Sequence, residues 1–338
     1  MKMEPVKKVQ VLVIGAGPAG IGVAVGLARC GIAPIILVDR SEKVGGIPSL
    51  YKRKDNGVPT FVCWTRGRFV FGEQLAERLA RGLQDSKALV WLETQVTAVS
   101  TDQHQVTLVN PSRGSFQVGA EAVVLACGAR ESTAAERGWL FGSRRSGMLF
   151  TKNLLDLVDQ RGIRLAGKPV ILGSDLIAHA VAAKLKLAGA SDAVMVDQSR
   201  RPDVGLLARL YFRRWASPQY RGGARAIMVT GTRRFACETA GHENEIRCDL
   251  LALCGDLVPN TELALMGNLQ VEPTTGRPVV SSDFQLSKAG WFAAGNILGD
   301  YHGAEWCYFN GRRVARQVAN YLRRPYRATQ TCSTAQES

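Results

Sequence analysis

The sequence has no CxxC pair, and its eight cysteines are scattered singly among 338 residues. Redox disulfides, zinc knuckles and iron–sulfur cradles need closely spaced cysteines, so none of these sites is predicted within this chain. Histidine is also scarce, with four residues, and we predict no metal site. Reduced, mostly buried thiols in a cytosolic protein are the expectation.

Acidic residues are few: 29 against 43 basic residues, which leaves a net charge of +14. A solvated surface, an acidic partner subunit or an anionic substrate would each account for this charge. No recognition motif accompanies it, so we predict no nucleic-acid partner. Much of the excess comes from adjacent arginines: Arg144 and Arg145, Arg200 and Arg201, Arg213 and Arg214, Arg233 and Arg234, Arg312 and Arg313, Arg323 and Arg324.

Long apolar runs are missing too. The basic start, "MKMEPVKK", and the uncharged run from Val9 to Ala28 imitate a signal peptide, but this run contains "GAGPAG" and continues into Arg29 and a further strand. It is better interpreted as a strand, a turn and a buried helix. No other segment is long and apolar enough to cross a bilayer. We therefore expect a cytoplasmic protein, with attachment at a membrane surface as the alternative.

What the sequence does contain is an internal repeat. "VLVIGAGPAGIGVAVGLARCGIAPIILVD" and "PVILGSDLIAHAVAAKLKLAGASDAVMVD" each predict an apolar strand, a tight turn, a helix with small residues and a second strand ending in aspartate. This is the opening βαβ unit of a dinucleotide-binding fold, present twice. The copies align without a gap: Gly15 with Gly173, Gly17 with Asp175, Gly20 with Ala178, and Asp39 with Asp197.

The first copy has every part of a nucleotide site. Gly15 suits the tight turn, Gly17 lets a pyrophosphate approach the backbone, and Gly20 lets the helix pack closely on the strand. The N-terminus of the helix offers N–H groups and the positive end of its dipole to phosphates. Asp39 ends the second strand, where a carboxylate binds ribose hydroxyls. This copy predicts an adenine dinucleotide.

The second copy departs from this pattern at one position. It keeps Gly173, Ala178 and Asp197, but Asp175 replaces the middle glycine. A carboxylate there would repel a phosphate by about 1 to 4 kcal/mol at 4 Å, depending on the local dielectric. The favoured interpretation is a scaffold whose nucleotide site has degenerated, so NAD(P) binding is doubtful. Alternatively, Asp175 turns outward and a nucleotide binds with the Arg200–Arg201 pair near its phosphates.

"GAGPAG", "ACGAR", "CGDLVPNTEL" and "GWFAAGN" together resemble the FAD/NAD(P) flavoproteins of the pyridine nucleotide–disulfide oxidoreductase type, over roughly residues 8 to 325. The resemblance implies FAD in the first copy. The FAD-contacting positions that the repeat and the resemblance predict are Gly15, Gly17, Pro18, Ala19, Gly20, Asp39, Arg40, Gly46, Val96, Ala126, Gly128, Gly295, Asn296, Gly303 and Ala304.

Two positions depart from the family pattern. Cys127 stands where the family usually has threonine, and Asn296 stands where its aspartate holds the ribityl chain. Asn296 can still form hydrogen bonds but carries no charge. The resemblance implies that the helix from about Gly303 directs its N-terminus at the pyrimidine edge of the flavin, where its dipole stabilises the negative charge of a reduced flavin.

A finer resemblance concerns one branch: the FAD-binding subunits of hydrogen cyanide synthase, opine oxidase and D-hydroxyproline dehydrogenase. "VGGIPS", "GARES" and "AAGNILGDYHGAEWCYFNGRRVA" carry it. It implies partner flavoprotein or Fe–S subunits, and an amine or amino-acid substrate that another chain can bind. Many members have a cysteine-rich extension for an Fe–S cluster, whereas the tail of this chain has only Cys332.

Without a cysteine pair, any redox chemistry must belong to the flavin. The candidate catalytic residues are His302, a proton donor before the flavin-facing helix, and Arg130, a partner for a flavin phosphate or a substrate carboxylate. The favoured function is an FAD-dependent subunit that exchanges electrons with a partner. The alternatives are a self-sufficient NAD(P)H-dependent flavoprotein reductase and a structural flavoprotein subunit without turnover.

The predicted fold class is α/β, with two Rossmann-like dinucleotide-binding domains, the second of them reduced and inserted in the first. We predict an FAD-binding domain from residues 1–160 and 255–325, an NAD-like domain from 161–254, and a polar tail from 326–338.

Overall fold

A computed structural model describes residues 7–51, 57–133, 135–136, 147–230, 234–239 and 242–324. The predicted polar tail, with Cys332, lies outside these ranges, as do the arginines at 144, 145 and 233. The fold is mixed α/β with two parallel sheets, which confirms the predicted fold class.

The strands in the described ranges fall into two large parallel sheets and three small antiparallel sheets. They are β1 (Lys7–Ile14), β2 (Ile35–Val38), β3 (Phe61–Cys63), β4 (Arg68–Val70), β5 (Leu89–Trp91), β6 (Gln95–Ser100), β7 (Gln105–Asn110), β8 (Gly114–Leu125), β9 (Ala129–Glu131), β10 (Met148–Phe150), β11 (Pro169–Leu172), β12 (Val194–Asp197), β13 (Gln219–Gly222), β14 (Ala224–Thr230), β15 (Arg234–Thr239), β16 (His242–Arg247), β17 (Leu250–Leu253), β18 (Leu257–Pro259) and β19 (Trp291–Ala293).

The helices connect and cover these sheets. They are α1 (Pro18–Arg29), α2 (Ile47–Leu50), α3 (Gly72–Asp85), α4 (Thr151–Leu155), which continues as a π-helical segment (Asp156–Gln160), α5 (Leu176–Leu187), α6 (Leu206–Phe212), α7 (Glu262–Met266) and α8 (Ala304–Arg323), with 3₁₀ turns at Trp64–Arg66 and Gly295–Leu298.

The two large sheets have the same design. In the first, the parallel strands run β5-β2-β1-β8-β19, and β6 and β7 extend the amino-terminal half of β8 as an antiparallel ribbon. In the second, all strands are parallel in the order β13-β12-β11-β17-β10, and β14-β15-β16 form the matching antiparallel sheet. The sequence repeat thus corresponds to two equivalent βαβ units, each opening one sheet.

The domain boundaries of the sequence analysis stay predictions. Strand β10 belongs to the second sheet although it precedes residue 161. The antiparallel pair β9–β18 connects the two sheets.

Helix α8 crosses α1 in very close contact, and glycines permit it. A Cβ at Gly22 would collide with the carbonyl oxygen of Tyr308, and a Cβ at Gly311 with that of Ala19. The helices and the first sheet bury an apolar core that includes Val13, Ile21 and Val314. Close backbone approach of this kind fixes α8 against the first turns of α1, which matters for the site described below.

Two segments differ from what their sequences predict: "SFQVG" and "AEAVVL" predict two separate strands, and the aromatic and basic segment 60–72 predicts a loop. "SFQVG" and the following "AEAVVL" form one strand, β8, because its first half pairs with β7 and its second half with β1. The segment 60–72, interpreted as a loop, forms the β3–β4 hairpin. The hairpin is stabilised by packing: Phe69 stacks on Tyr211 at 4.1 Å between ring centroids, and Tyr211 donates a hydrogen bond to the carbonyl of Pro59.

Buried polar contacts also hold the second sheet against the first. Lys184 on α5 and Asp159 in the π-helical segment form an ion pair at 2.8 Å. The Lys184 ammonium lies over the ring of Tyr51, which directly follows α2. Gln160 donates to the carbonyl of Leu50 at 2.9 Å. The end of α2 is therefore fixed by residues that belong to the second half of the fold.

Candidate functional site

The first crevice lies at the carboxyl ends of β1, β2 and β8, the edge where open parallel sheets bind ligands. Gly15 follows β1 with a φ of +110°, and a Cβ there would collide with the carbonyl oxygen of Ala126. A Cβ at Gly20 would collide with the carbonyl oxygen of Gly15. Strand, turn and helix meet here with no room for side chains, so both positions require glycine.

Gly17 is glycine for a different reason. Its φ of −74° and ψ of −178° are extended backbone that any residue adopts. A Cβ at Gly17 would meet only the Cα of Gly46, at 3.9 Å, so the space in front of it is open. No side chain in the described ranges caps α1. The first N–H groups of α1 and its dipole therefore face an open cradle suited to an anion.

Asp39 and the loop after it form the rim of this cradle. One carboxylate oxygen of Asp39 accepts the N–H of Ala16 at 2.6 Å, and the other accepts the N–H of Ser41 at 2.8 Å. The carbonyl of Ala16 accepts the N–H of Gly45, which brings Gly46 beside Gly17. Arg40 is exposed. The carboxylate is thus held at the end of β2, where a ribose would lie beside the cradle.

The second crevice has the same backbone conformation, but a carboxylate stands where the first crevice has open N–H groups. Asp175 has a φ of −72° and a ψ of −176°, close to the values of Gly17. Its Oδ1 accepts the N–H of Ala178 at 2.8 Å, so the carboxylate caps α5. Burial raises the pKa of Asp175, and the nearby carboxylates of Asp203 and Asp197 raise it further. The position that is open in the first copy holds a partly buried acid in the second.

The remaining polar groups of the second crevice satisfy one another. The hydroxyl of Ser174 donates to Asp197 at 2.5 Å and accepts the N–H of Asp203 at 3.0 Å. Asp197 also accepts the N–H of Ser199. The Asp175 carboxylate therefore occupies the place of a pyrophosphate, with the Asp203 carboxylate near it, while Asp197 stands at the ribose position as Asp39 does in the first copy. This donor set does not fit a nucleotide diphosphate, because like charges would meet in a partly desolvated place.

The first crevice is completed by the turn after β19. A Cβ at Gly295 would collide with that of Ala19, so the turn lies directly against the start of α1. The N–H of Gly295 donates to the buried Oδ1 of Asn310 at 2.7 Å. Asn310, on α8, was not predicted from the sequence, because nothing near it in the chain marks it as the partner of a turn fifteen residues earlier.

Asn296 is bound to the loop that begins α8. Its amide oxygen accepts the N–H of His302 at 2.9 Å, and its amide nitrogen donates to the carbonyl of His302 at 3.1 Å. The exposed His302 ring lies against Trp306, with ring centroids 3.9 Å apart and the planes tilted by 35°. Gly303 is the N-cap of α8 and Ala304 its first residue. These residues form one end of the crevice; the catalytic role of His302 stays a prediction.

Arg130 lies on β9, in the connection between the sheets. Its guanidinium donates two hydrogen bonds to Glu136, both at 2.8 Å, and lies 3.6 Å from Glu262. The bonds to Glu136 raise the pKa of Arg130, and they lower that of Glu136 to about 2. This guanidinium already has carboxylate partners, and its predicted role toward a phosphate or substrate is untested.

Two further positions that are predicted to contact FAD, Gly128 and Val96, have different surroundings. Gly128 accepts the N–H of Asn260 through its carbonyl. Val96 is buried in the apolar core and pairs with Leu108 on β7. Its side chain faces the core and its carbonyl accepts a hydrogen bond from the Gln95 amide, so its predicted contact with FAD stays a prediction.

The thiols near the crevice are inert. Burial raises the pKa of Cys127 to about 12, and burial raises that of Cys307 to about 12 as well. Every cysteine in the described ranges is a free thiol. The same ranges contain no group of His, Cys, Asp and Glu side chains that could hold a metal ion. Neither of these two thiols is therefore a thiolate nucleophile, and the described side chains provide no metal centre.

A buried charge cluster beside the start of α8 was also missed by sequence reasoning. Glu305 is buried in the first turn of this helix, and it accepts hydrogen bonds from the N–H and hydroxyl of Thr65 and from Arg78 on α3. Burial alone would raise the pKa of Glu305, but these hydrogen bonds lower it. The cluster ties the β3–β4 hairpin to α8. Glu305 lies more than two hundred residues along the chain from Thr65 and Arg78, so no local motif marks the cluster.

Within the described ranges, no helix is both long enough and apolar enough to cross a membrane. Solved structures with this fold include thioredoxin reductase from T. acidophilum, at 17% identity, with a TM-score of 0.74 and coverage of 93% of this chain and 98% of that one. Thioredoxin reductase from Lactococcus lactis, in a form described as the FR conformation, has 15% identity and a TM-score of 0.73, with coverage of 93% and 99%. L-proline dehydrogenase from P. horikoshii has 19% identity and a TM-score of 0.66, with coverage of 95% of this chain and 57% of that one.

No curated protein matches the sequence. The model of the pyridine nucleotide-disulphide oxidoreductase family matches residues 9–330, which is nearly the whole chain. Two equivalent βαβ units, each with a crevice at the carboxyl ends of its strands, are the architecture that this match requires. The family predicted from the sequence is confirmed: the chain belongs to the pyridine nucleotide-disulphide oxidoreductase family.

Proposed function

We propose that this chain is an FAD-dependent oxidoreductase that holds its flavin nucleotide in the first crevice. The observation that carries the proposal is the contrast between two helix N-termini of equal backbone geometry. The N-terminus of α1 is open at Gly17, whereas the N-terminus of α5 is capped by the side chain of Asp175. Open N–H groups at a helix start are the site of dinucleotide phosphates in folds of this type.

The residues present fit FAD. The cradle between Gly17 and Gly46 would take the pyrophosphate, and Asp39 would take the ribose of the adenosine half. The turn at Gly295 and Asn296 and the start of α8 would face the other half. When bound, FAD supplies two-electron chemistry that none of the described side chains provides. The protein contributes a positive helix end, a buried floor and a polar rim.

The proposed source or acceptor of electrons is a partner subunit rather than NAD(P)H. The Asp175 carboxylate supports this choice, because it caps the helix start where the phosphates of a dinucleotide would bind and the nearby Asp203 adds charge of the same sign. The finer proposal is the FAD subunit of an amine or amino-acid dehydrogenase, acting in the cytoplasm with a flavoprotein or Fe–S partner. It rests on the branch resemblance of the sequence.

A surface near the start of α8 fits such a partner. We define the aromatic surface as Trp64, Tyr301, Trp306 and Phe309, which are 71%, 39%, 36% and 46% exposed. Trp64 belongs to this surface because its neighbour Thr65 is bonded to Glu305 in the first turn of α8. Arg313 and Arg316 continue the outer face of the helix. Exposed Trp, Tyr and Phe beside Arg are typical of the centre of protein interfaces.

Mixing the flavin-loaded protein with NADH or NADPH tests the electron source. We expect no bleaching of the flavin on a catalytically useful time scale in stopped-flow absorbance, because the second crevice repels the nucleotide. Rapid bleaching by either nucleotide would instead establish a self-sufficient reductase.

The variant Asp175→Gly addresses the same crevice. Replacing Asp175 by glycine costs only a few tenths of a kcal/mol of stability, because glycine is itself tolerated at an N-cap. The same change removes the carboxylate that blocks the phosphate position, so we expect weak NADH binding, detectable by fluorescence titration, where the parent protein shows none. The uncharged variant Asp175→Asn keeps a cap and is the control. Equal NADH binding by parent and Asp175→Gly would contradict the proposed role of this carboxylate.

Purification from the native source tests the partner. The double variant Trp64→Ser/Phe309→Ser should lose most of its copurifying chains, because interface aromatics commonly contribute about 2 kcal/mol or more each. Met266→Ser is the control, since Met266 on α7 is as exposed as Phe309. FAD content, measured by absorbance, should stay unchanged in all three proteins. Retention of the same chains by the double variant would exclude the aromatic surface as the docking site.

A further inference from the structure

A second exposed apolar surface lies on α6, in the second half of the fold. Leu206, Leu207 and Leu210 are 66%, 83% and 49% exposed. The opposite side of the same helix is anchored: Phe212 is buried, and Tyr211 stacks on Phe69 of the β3–β4 hairpin. The three leucines therefore project outward from a helix that is held firmly against the protein.

Arginines surround these leucines, and acidic residues are almost missing. Between residues 200 and 225 the sequence has seven arginines, one aspartate and no lysine or glutamate. Five of the arginines are exposed beside or within α6: Arg200, Arg201, Arg209, Arg213 and Arg214. We call these five arginines and the three leucines the leucine–arginine surface. Its charge has the same sign as the net charge of the whole chain, +14, so it would repel a second copy.

We propose that the leucine–arginine surface binds anionic phospholipid membranes, with the leucines inserted among the acyl chains and the arginines at the phosphates. Guanidinium groups form paired hydrogen bonds with phosphate oxygens. A bilayer places an apolar layer directly beneath a phosphate layer, and it needs no complementary shape. Aliphatic side chains that project singly, ringed by arginine, suit this arrangement. The aromatic surface, by contrast, has the composition of a protein interface.

This inference does not depend on the proposed flavin chemistry. It concerns only the location at which the protein works. It predicts a peripheral protein with one defined contact surface. Three leucines are a modest apolar contact, so binding should need both the leucines and the anionic lipid.

The test is sedimentation of the flavin-loaded protein with vesicles. The vesicles contain phosphatidylcholine alone or mixed with phosphatidylglycerol. We expect binding to the mixed vesicles only, weakening as salt screens the arginines. In Leu206→Gln/Leu207→Gln the partition coefficient should fall roughly tenfold or more, because the most exposed apolar groups no longer insert. Leu265→Gln is the matched control, because Leu265 on α7 is 58% exposed and lies far along the chain.

Each other outcome overturns the proposal. Equal binding by the leucine variant and the parent would mean general electrostatic adsorption of a basic protein. No binding to either vesicle, with loss of a copurifying chain in the leucine variant, would make this surface a protein interface. FAD content, measured on the same samples, distinguishes a folding defect from a loss of membrane binding. The substitutions lie in the half of the fold that does not contain the flavin crevice, so a correctly folded variant should keep its FAD.

Discussion

Replacing Gly17 by aspartate should abolish FAD binding and leave the fold intact. The backbone at Gly17 already has the conformation of Asp175, and a Cβ there meets nothing closer than 3.9 Å. The new carboxylate would cap α1 in the way that Asp175 caps α5. The N–H groups proposed to receive the pyrophosphate would then be occupied, and a negative charge would stand in their place.

The expected effect is large because two costs combine. Repulsion between a carboxylate and a phosphate is about 1 to 4 kcal/mol at 4 Å. Charge-assisted hydrogen bonds from the helix start, lost at the same time, are worth roughly 1.5 to 3 kcal/mol. Since about 1.4 kcal/mol is tenfold in affinity, FAD affinity should fall about a hundredfold or more. Reconstitution of apoprotein with FAD, followed by fluorescence quenching, measures the change in Kd.

Gly17→Asn separates charge from space in this experiment. Asparagine also caps helices but carries no charge, so its loss of affinity should be smaller than that of the aspartate variant. Thermal unfolding of the apoproteins should show equal or slightly raised stability in both variants, because each gains a cap. Full FAD occupancy in Gly17→Asp would place the flavin nucleotide elsewhere and remove the main support for the proposed function.

The sequence was informative wherever function depends on local geometry. A βαβ turn is a local structure, so residues a few positions apart are enough to predict its geometry. They predict the tight turn at Gly15, the open position at Gly17 and the changed position at Asp175. The repeat then extends the inference, since two copies of one unit show which substitutions the fold accepts. From these features the family and the two-sheet architecture were predictable.

Other parts of the site depend on contacts between distant segments. The role of Asn310 depends on the hydrogen bond that it accepts from the N–H of Gly295, and the role of Glu305 depends on its contacts with Thr65 and Arg78. In the sequence Glu305 looks like an acidic residue that favours the start of a helix, which is true of many exposed glutamates. Its burial against another helix follows only from the close crossing of α8 over the first sheet. Contacts of this kind can be identified only once the fold is known.

The buried pair Lys184–Asp159 is the strongest test of how the two halves are joined. Both side chains are at most 4% exposed, and their charged atoms lie 2.8 Å apart. Lys184→Ala would leave the Asp159 carboxylate buried without its partner. Breaking such a pair typically costs about 3 to 5 kcal/mol, so we expect a loss of this size in the free energy of unfolding, measured by urea denaturation of the apoprotein.

The helix provides its own control for this experiment. Lys186, on the same helix, forms an ion pair with Asp192 in which both side chains are about 40% exposed. Exposed pairs contribute about 0 to 1 kcal/mol, so Lys186→Ala should change little. If Lys184→Ala also costs less than about 1 kcal/mol, water or another charge must reach Asp159, and the buried description would be wrong.

A double replacement then distinguishes stability from positioning. Lys184→Met/Asp159→Leu removes both charges and fills similar volume, so stability should recover to near the parent value. Tyr51, however, loses the ammonium that lies over its ring, and Tyr51 directly follows α2, whose first residue lies next to Gly46 in the cradle. The pair therefore joins the second half of the fold to the proposed flavin site of the first. If this coupling matters, the double variant will fold as stably as the parent yet bind FAD with a shifted absorbance spectrum. An unchanged spectrum would mean that the pair serves stability alone.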